Sequence, residues 1–200
     1  MKMLLCAALF LLAPGGSETL SQAERDRAVT ELETSQKSLQ DAVAGFSDAQ
    51  WNFKPSPEHW SSAECVEHLT LSEYMVYGVV RQEMMNSPAE PGKRESVKGK
   101  DEMVVKMVPD RSHKVKTIAN LEPTHKFGAP DKTLEYFVGI NAKAIEYVRT
   151  TDDDLRDHFR DHPALGRLDG YQWLLFVAEH TRRHTAQIVE LKTDPNFPKK

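Results

Sequence analysis

DGYQWLLFVAEHTRRHTAQIVEL, residues 169–191, holds both a helix start and the densest chemistry of the chain. Asp169 stands three residues before Gln172, the spacing at which a cap and the residue three on satisfy each other's backbone N–H groups. Beyond it Trp173, Val177, His180, His184, Ile188 and Leu191 recur at steps of three or four, so they share one helical face. A helix with such a stripe needs other helices or a sheet to cover it. Two of its inward positions are histidines.

Upstream, the same grammar repeats. Ser21 and Glu24 open a first helix whose Val29, Leu32, Leu39, Val43 and Phe46 line one side, with Gln36 interrupting the stripe. Ser61 and Glu64 open a second, reaching roughly Met85, with Cys65, His68, Leu69, Ser72, Val76 and Val79 facing inward. A third runs from Asp131 to Thr150 on Leu134, Val138, Asn141, Ile145 and Val148. Between the first two, the segment from Asp48 to Pro57 contains two prolines that argue against helix. Residues 87–130 form a long irregular connection with a short amphipathic piece from Asp101 to Val108, stopped by Pro109. Thr151 to Arg167 reads as loop, and no alternating strand pattern stands out. The expectation is an all-α four-helix bundle.

The N-terminus has a different character. Lys2 precedes an uninterrupted apolar run from Met3 to Ala13, and Pro14-Gly15-Gly16-Ser17 follows. That is the layout of a secretory signal peptide over 1–17, leaving 18–200 as one domain in the periplasm or medium. With Cys6 removed, Cys65 has no intramolecular partner, so export brings no disulfide scaffold. A net charge of −4 with both signs interspersed gives no basic footprint for nucleic acid or an anionic membrane. The composition, 40% hydrophobic and 28% charged, suits a packed core rather than a disordered chain.

His180 and His184 lie one turn apart on an apolar face, and His68 sits among core positions of the second helix. Burying adjacent imidazoles without partners is costly. A divalent ion removes that cost by binding their neutral nitrogens. Hydrogen-bonded core histidines are the competing reading, and spacing alone does not bring His68 to the pair. His158 and His162 repeat the spacing but sit in a charged segment read as solvated. Asp152-Asp153-Asp154 lacks the alternating ligand spacing of a calcium loop. Cys65 is read as a small core residue, Glu67 as outward-facing, and Arg182 and Arg183 as exposed. Glu73 and Glu179 are candidate acid–base groups without an assigned role.

The run Trp60-Ser61-Ser62-Ala63-Glu64-Cys65-Val66-Glu67-His68-Leu69 resembles the Trp-Ser to His-Leu signature of the DinB/YfiT-like family. The stretch from Ala178 to Ile188 resembles that family's closing His-x-x-x-His helix, and Trp51-Asn52-Phe53-Lys54-Pro55 the segment before its second helix. The resemblance implies a four-helix bundle with His68, His180 and His184 as ligands of nickel or zinc, with manganese or iron as further candidates. It also implies metal-dependent hydrolysis or thiol transfer on a small-molecule substrate, and a possible homodimer. A non-catalytic metal- or ligand-binding bundle is the alternative. Export weakens thiol transfer, because low-molecular-weight thiols are mainly cytosolic.

Overall fold

Each long helix starts where a reciprocal cap or a proline fixes it. The computed structural model describes residues 19–199, and the leader read over 1–17, with Cys6, lies outside them. Helix α1 (Gln22–Val43) opens on Ser21, whose Oγ accepts from the Glu24 N–H while the Glu24 carboxylate accepts from the Ser21 N–H at 2.8 Å. A single-turn helix, α2 (Asp48–Trp51), follows. The prolines at 55 and 57 predict no helix here, yet Ser47 and Gln50 form a capping box and the prolines act only after the turn has closed. Helix α3 (Ser62–Gly78) is capped by Ser61 and Glu64, and continues as a π-helical turn over Val79–Met84. A short α4 (Lys100–Met107) lies within the irregular connection. Helix α5 (Pro130–Thr150) has proline at its first position, and α6 (Gly170–Leu191) is capped by Asp169 and Gln172.

The segment read as loop after α5 contains a small antiparallel hairpin, β1 (Phe159–His162) and β2 (Gly166–Asp169), with Phe159 opposite Asp169. Strands of four residues are too short to display alternation, which is why the pattern hides them. Gly166, at φ +68°, supplies the left-handed turn residue. Gly170 then starts α6 against Leu155: an added Cβ would meet the Leu155 carbonyl oxygen at 3.0 Å as well as its Cδ2 at 2.8 Å, a close backbone approach that favours glycine.

The four long helices form a square in which α1 and α3 each pack against both α5 and α6. The diagonals are therefore α1–α3 and α5–α6, so the first long helix faces the second across the bundle and the third faces the fourth, while α3 and α5 are neighbours. This order puts α3 beside α6, and with them the histidines of both.

Two apolar clusters fill the interior. One holds Leu32, Val76, Ala144, Leu174 and Val177, the other Leu39, Leu69, Phe137 and Ile188. Between them, at the same level on every helix, the buried residues turn polar: Ser35 on α1, His68, Thr70, Ser72 and Glu73 on α3, Asn141 on α5 and Glu179, Thr181, His184 and Thr185 on α6. Gln36, which breaks the α1 stripe, belongs to this belt, since its Oε1 accepts from Asn141 Nδ2 at 2.8 Å. Polar groups in such a layer persist only if hydrogen-bonded or matched to a ligand.

A second polar cluster sits where α6 begins. Arg156 donates to Glu24 at 2.7 Å, Asp101 at 2.7 Å and Asp169 at 2.9 Å, and its guanidinium lies 4.0 Å from the Tyr171 ring centroid. His158, read as solvated, is instead buried, bonding Asp154 through Nε2 and Ser87 through Nδ1. The Ser87 partner comes from the far end of the α3 continuation, a tertiary contact that a charged local sequence does not reveal.

Candidate metal centre

The polar belt brings the three predicted histidines together. The Nε2 of His180 lies 3.3 Å from His68 Nε2 and 3.2 Å from His184 Nε2, and one ring nitrogen from each histidine falls within 4.8 Å of the others. Among the described residues this is the one cluster of three or more His, Cys, Asp or Glu side chains with such convergence. His68 and His184 are buried and His180 is partly so.

Hydrogen bonds on the outer ring nitrogens set the tautomers of two of them. His68 Nδ1 lies 2.9 Å from the Leu121 carbonyl, which can only accept, so Nδ1 carries the proton and Nε2 presents its lone pair. His184 Nδ1 is placed the same way against Gln187 Oε1 at 3.1 Å. Two imidazole lone pairs then converge on the third ring at hydrogen-bond distance. Burial pushes all three imidazoles below their ordinary pKa, and at His180 and His184 the neighbouring histidines add to it. Neutral imidazoles with converging lone pairs are the donor set that a divalent cation takes, so these residues fit a metal.

The irregular connection is the wall of this site. After α4, residues 108–126 run across α3 and α6 and are fastened beside the histidines at both ends. Arg183, next to His184, donates to the carbonyls of Val108, Asp110 and His113. Arg111 donates to Glu190 at 2.6 Å and to Gln187 at 3.2 Å. At the other end the buried Glu67 carboxylate, next to His68, accepts from the backbone N–H groups of Thr124, His125 and Lys126 at 3.1, 2.7 and 3.0 Å. Glu67 and Arg183 are thus not the outward-facing residues that helix periodicity suggests. Arg182 is likewise engaged, pairing with Glu31 and Glu179. The strap covers faces that would be exterior in a bare bundle.

Between the strap, the α3 entry loop and the C-terminal half of α6 lies a cleft of ≈ 690 Å³. His184 forms part of its floor, and Trp60, Arg111, Lys116, Arg183 and Glu190 line it. Trp60 also packs on the site, its ring centroid 4.8 Å from that of His68 and 6.0 Å from that of His184.

The remaining candidates fall outside. Cys65 is fully buried in the second apolar cluster, and burial pushes its thiol far up, which suits a core residue. Glu179 turns toward Arg182 rather than the imidazoles, and burial raises its carboxyl to about 7. Glu73 is buried with neither carboxylate oxygen hydrogen-bonded, and burial raises it well above the ordinary range. Sequence reasoning missed Gln187, although its position three after His184 was available as a signal. It also missed the Leu121 carbonyl, which no side-chain pattern could disclose.

The model of the DinB superfamily matches residues 31–188, a span that reaches into all four bundle helices and contains all three histidines. The chain belongs to the DinB superfamily. It is 25% identical over 150 residues to the uncharacterized protein YuaE of Bacillus subtilis (strain 168), covering 75% of this chain and 88% of YuaE. Its fold is similar to that of YfiT from Bacillus subtilis, with a TM-score of 0.53 over 88% of this chain and 90% of YfiT, at 16% identity. YfiT is described as a probable metal-dependent hydrolase with an unusual four-helix bundle topology. In this DinB-superfamily chain, the exchange of neighbours across the square is what juxtaposes α3 and α6.

Proposed function

We propose that His68, His180 and His184 hold one divalent metal ion and that the protein is an exported metal-dependent hydrolase of a small polar molecule. The observation that carries this reading is the convergence of three ring nitrogens within 4.8 Å, two of them with lone pairs directed by hydrogen bonds on the opposite ring nitrogen. Nickel or zinc suits an all-imidazole set, with manganese or iron as further candidates. Three protein ligands leave a coordination position for an exogenous molecule, the pattern of catalytic rather than closed structural sites. When bound, such an ion supplies a Lewis acid that polarises a carbonyl or activates water.

The chain's own residues supply the rest. The cleft falls in the size range of small-molecule sites and mixes Arg111, Lys116 and Arg183 with Glu58, Glu122 and Glu190, which favours a polar substrate over an apolar one. Trp60 offers a flat apolar wall beside the ligands. The description of YfiT as a probable metal-dependent hydrolase supports the reaction class. Export rests on the apolar leader, and no helix among the described residues is long and apolar enough to cross a membrane.

The test is metal analysis of the purified protein beside a His180→Ala, His184→Ala double variant, with cobalt titration of the stripped forms. One equivalent in the parent and none in the variant is the expected result. A parent that takes up no metal at neutral pH would make the histidines a core cluster and remove the enzyme reading. Binding of cobalt with a spectrum indifferent to azide would point to a closed, non-catalytic site. A screen of esters, amides and phosphoesters with the metal-loaded protein then tests hydrolysis directly.

A further inference from the structure

Two of the three imidazoles have their outer nitrogen paired, His68 with Leu121 and His184 with Gln187. His180 is different. Its Nε2 faces the other two histidines, and its Nδ1, on a different edge of the ring, has no hydrogen-bond partner among the described residues. Phe176 stacks on the His180 ring at 5.1 Å between centroids and 16° between planes, which fixes the plane in which Nδ1 must find a partner.

His180 also lines a small cavity between α3 and α6, shared with Leu69, Ser72, Glu73, Phe176 and Thr181. The cavity measures ≈ 10 Å³, about the room one water molecule requires. Both oxygens of the Glu73 carboxyl are buried and unpaired, while the other buried carboxyls among the described residues have partners: Glu67 three backbone N–H groups, Asp157 and Asp169 an arginine each, and Glu179 Arg182. The Thr181 hydroxyl is no donor to Glu73, because it donates to the Val177 carbonyl at 3.0 Å. An isolated buried carboxyl costs stability. A polar cavity that also presents a ring nitrogen offers the compensation.

We propose that Glu73 is the positioning residue of His180, accepting from its Nδ1–H through one water held in the cavity between them. Metal-binding imidazoles ordinarily donate their outer N–H to a carboxylate, a carbonyl or water, which fixes the tautomer and strengthens the inner nitrogen as a donor. Leu121 and Gln187 serve His68 and His184 in this way, and Glu73 with its water completes the set. The positive charge of a bound ion also offsets the charge of a carboxylate that has no cation of its own. The inference rests on the proposed metal site and deepens it.

Cobalt titration of metal-free parent, Glu73→Gln, Glu73→Met and the His180→Ala, His184→Ala protein tests it, with the visible cobalt spectrum and the apoprotein melting temperature recorded for each. Loss of the carboxylate is expected to weaken cobalt binding roughly 10- to 100-fold, more for Met than for Gln, and to shift the spectrum. The apoproteins of both Glu73 variants should melt at or above the parent, since an unpaired buried carboxyl has been removed. That separates weakened binding from damaged folding. Affinity and spectrum unchanged in both variants, beside a parent that binds cobalt, would overturn the role of Glu73 and leave the metal site standing. A parent that binds no cobalt would overturn both.

Discussion

At its start α6 meets Arg156, whose guanidinium is shared by Glu24, Asp101 and Asp169 and lies over the Tyr171 ring. Further along the same helix, His180 and His184 meet His68 with ring nitrogens crowded together, next to a carboxyl with no partner. Both clusters are polar and tied to three or more elements, the first with Asp169 buried and Arg156, Glu24 and Asp101 half-buried, the second with His68, His184 and Glu73 buried. In the first, every charge has an opposite charge within hydrogen-bond distance, so it needs nothing from outside. In the second, imidazole nitrogens converge on one point and a carboxyl is left without a partner. The first arrangement holds α1, α4 and α6 together; the second has the form of a site that a ligand completes.

Crossed substitutions would break that distinction most directly. Replacing Arg156 by Met leaves the buried Asp169 without its cation and should destabilise the fold by about 3–5 kcal/mol, with metal uptake intact. The His180→Ala, His184→Ala protein should show the reverse, with uptake abolished and apoprotein stability within about 1 kcal/mol of the parent. Urea unfolding and cobalt titration on the same samples read both quantities. A double-histidine variant as unstable as Arg156→Met would mean that the histidines are structural after all.

The two clusters should also differ in how they answer to pH. Burial works to raise Glu24 and Asp101, but hydrogen bonds, from Ser21 and Arg156 to the first and from Arg156 and Gln172 to the second, hold both below their ordinary values. At Asp169 burial wins over Arg156, and the carboxyl rises from 3.8 to about 6. A carboxyl raised on folding favours the native state at low pH, and that contribution disappears as pH climbs from 3.8 through 6. Asn caps a helix about as well as Asp and does not ionise. Stability of Asp169→Asn relative to the parent should therefore rise by about 2–3 kcal/mol between pH 3.5 and 7. A flat difference across that range would show that the ion pair with Arg156 fully compensates burial.

Glu67 gives a smaller effect at the open cluster. Its carboxylate gathers three strap N–H groups, and Glu67→Gln keeps one acceptor oxygen while losing the charge. Weakening by about 1–2 kcal/mol would speed hydrogen exchange at Thr124, His125 and Lys126 roughly 10-fold. Exchange at Leu174 and Leu175, in the first apolar cluster, should not change.

Much of this was legible before any coordinates. The caps at Ser21, Ser61 and Asp169 and the stripes behind them follow from local hydrogen bonding and helical periodicity, and the four long helices begin where these signals place them. His180 and His184 announce themselves because one turn of helix fixes their proximity. His68 does not, and motif resemblance carried it to the pair, since no local rule reports which helices become neighbours. Glu67, Arg183 and His158 were misread for one shared reason. Glu67 and Arg183 lie on faces that periodicity assigns to solvent, His158 lies in a charged loop, and each is engaged by irregular chain whose path depends on tertiary contacts. Glu73 sat on an otherwise inward turn, and only its lack of a partner distinguishes it from any other polar belt residue.

The last expected effect concerns the imidazoles themselves in the metal-free protein. Their pKa values are depressed by burial and by one another, so protonation is harder in the native state than in the unfolded chain. Acidification below the ordinary value of 6.5 therefore costs native stability, the opposite direction to Asp169. Glu179, raised to about 7, and Asp169 both favour the native state as pH falls, and they mask part of the histidine contribution in the parent. His162, lowered to about 4 by burial, adds to it. All three groups remain in the double-histidine variant, so most of their contribution cancels in the difference between the two proteins. Between pH 6.5 and 5 that difference should change steadily, the parent losing the more. Equal slopes would mean that the metal-free imidazoles already share a proton and that the cluster is closed without an ion.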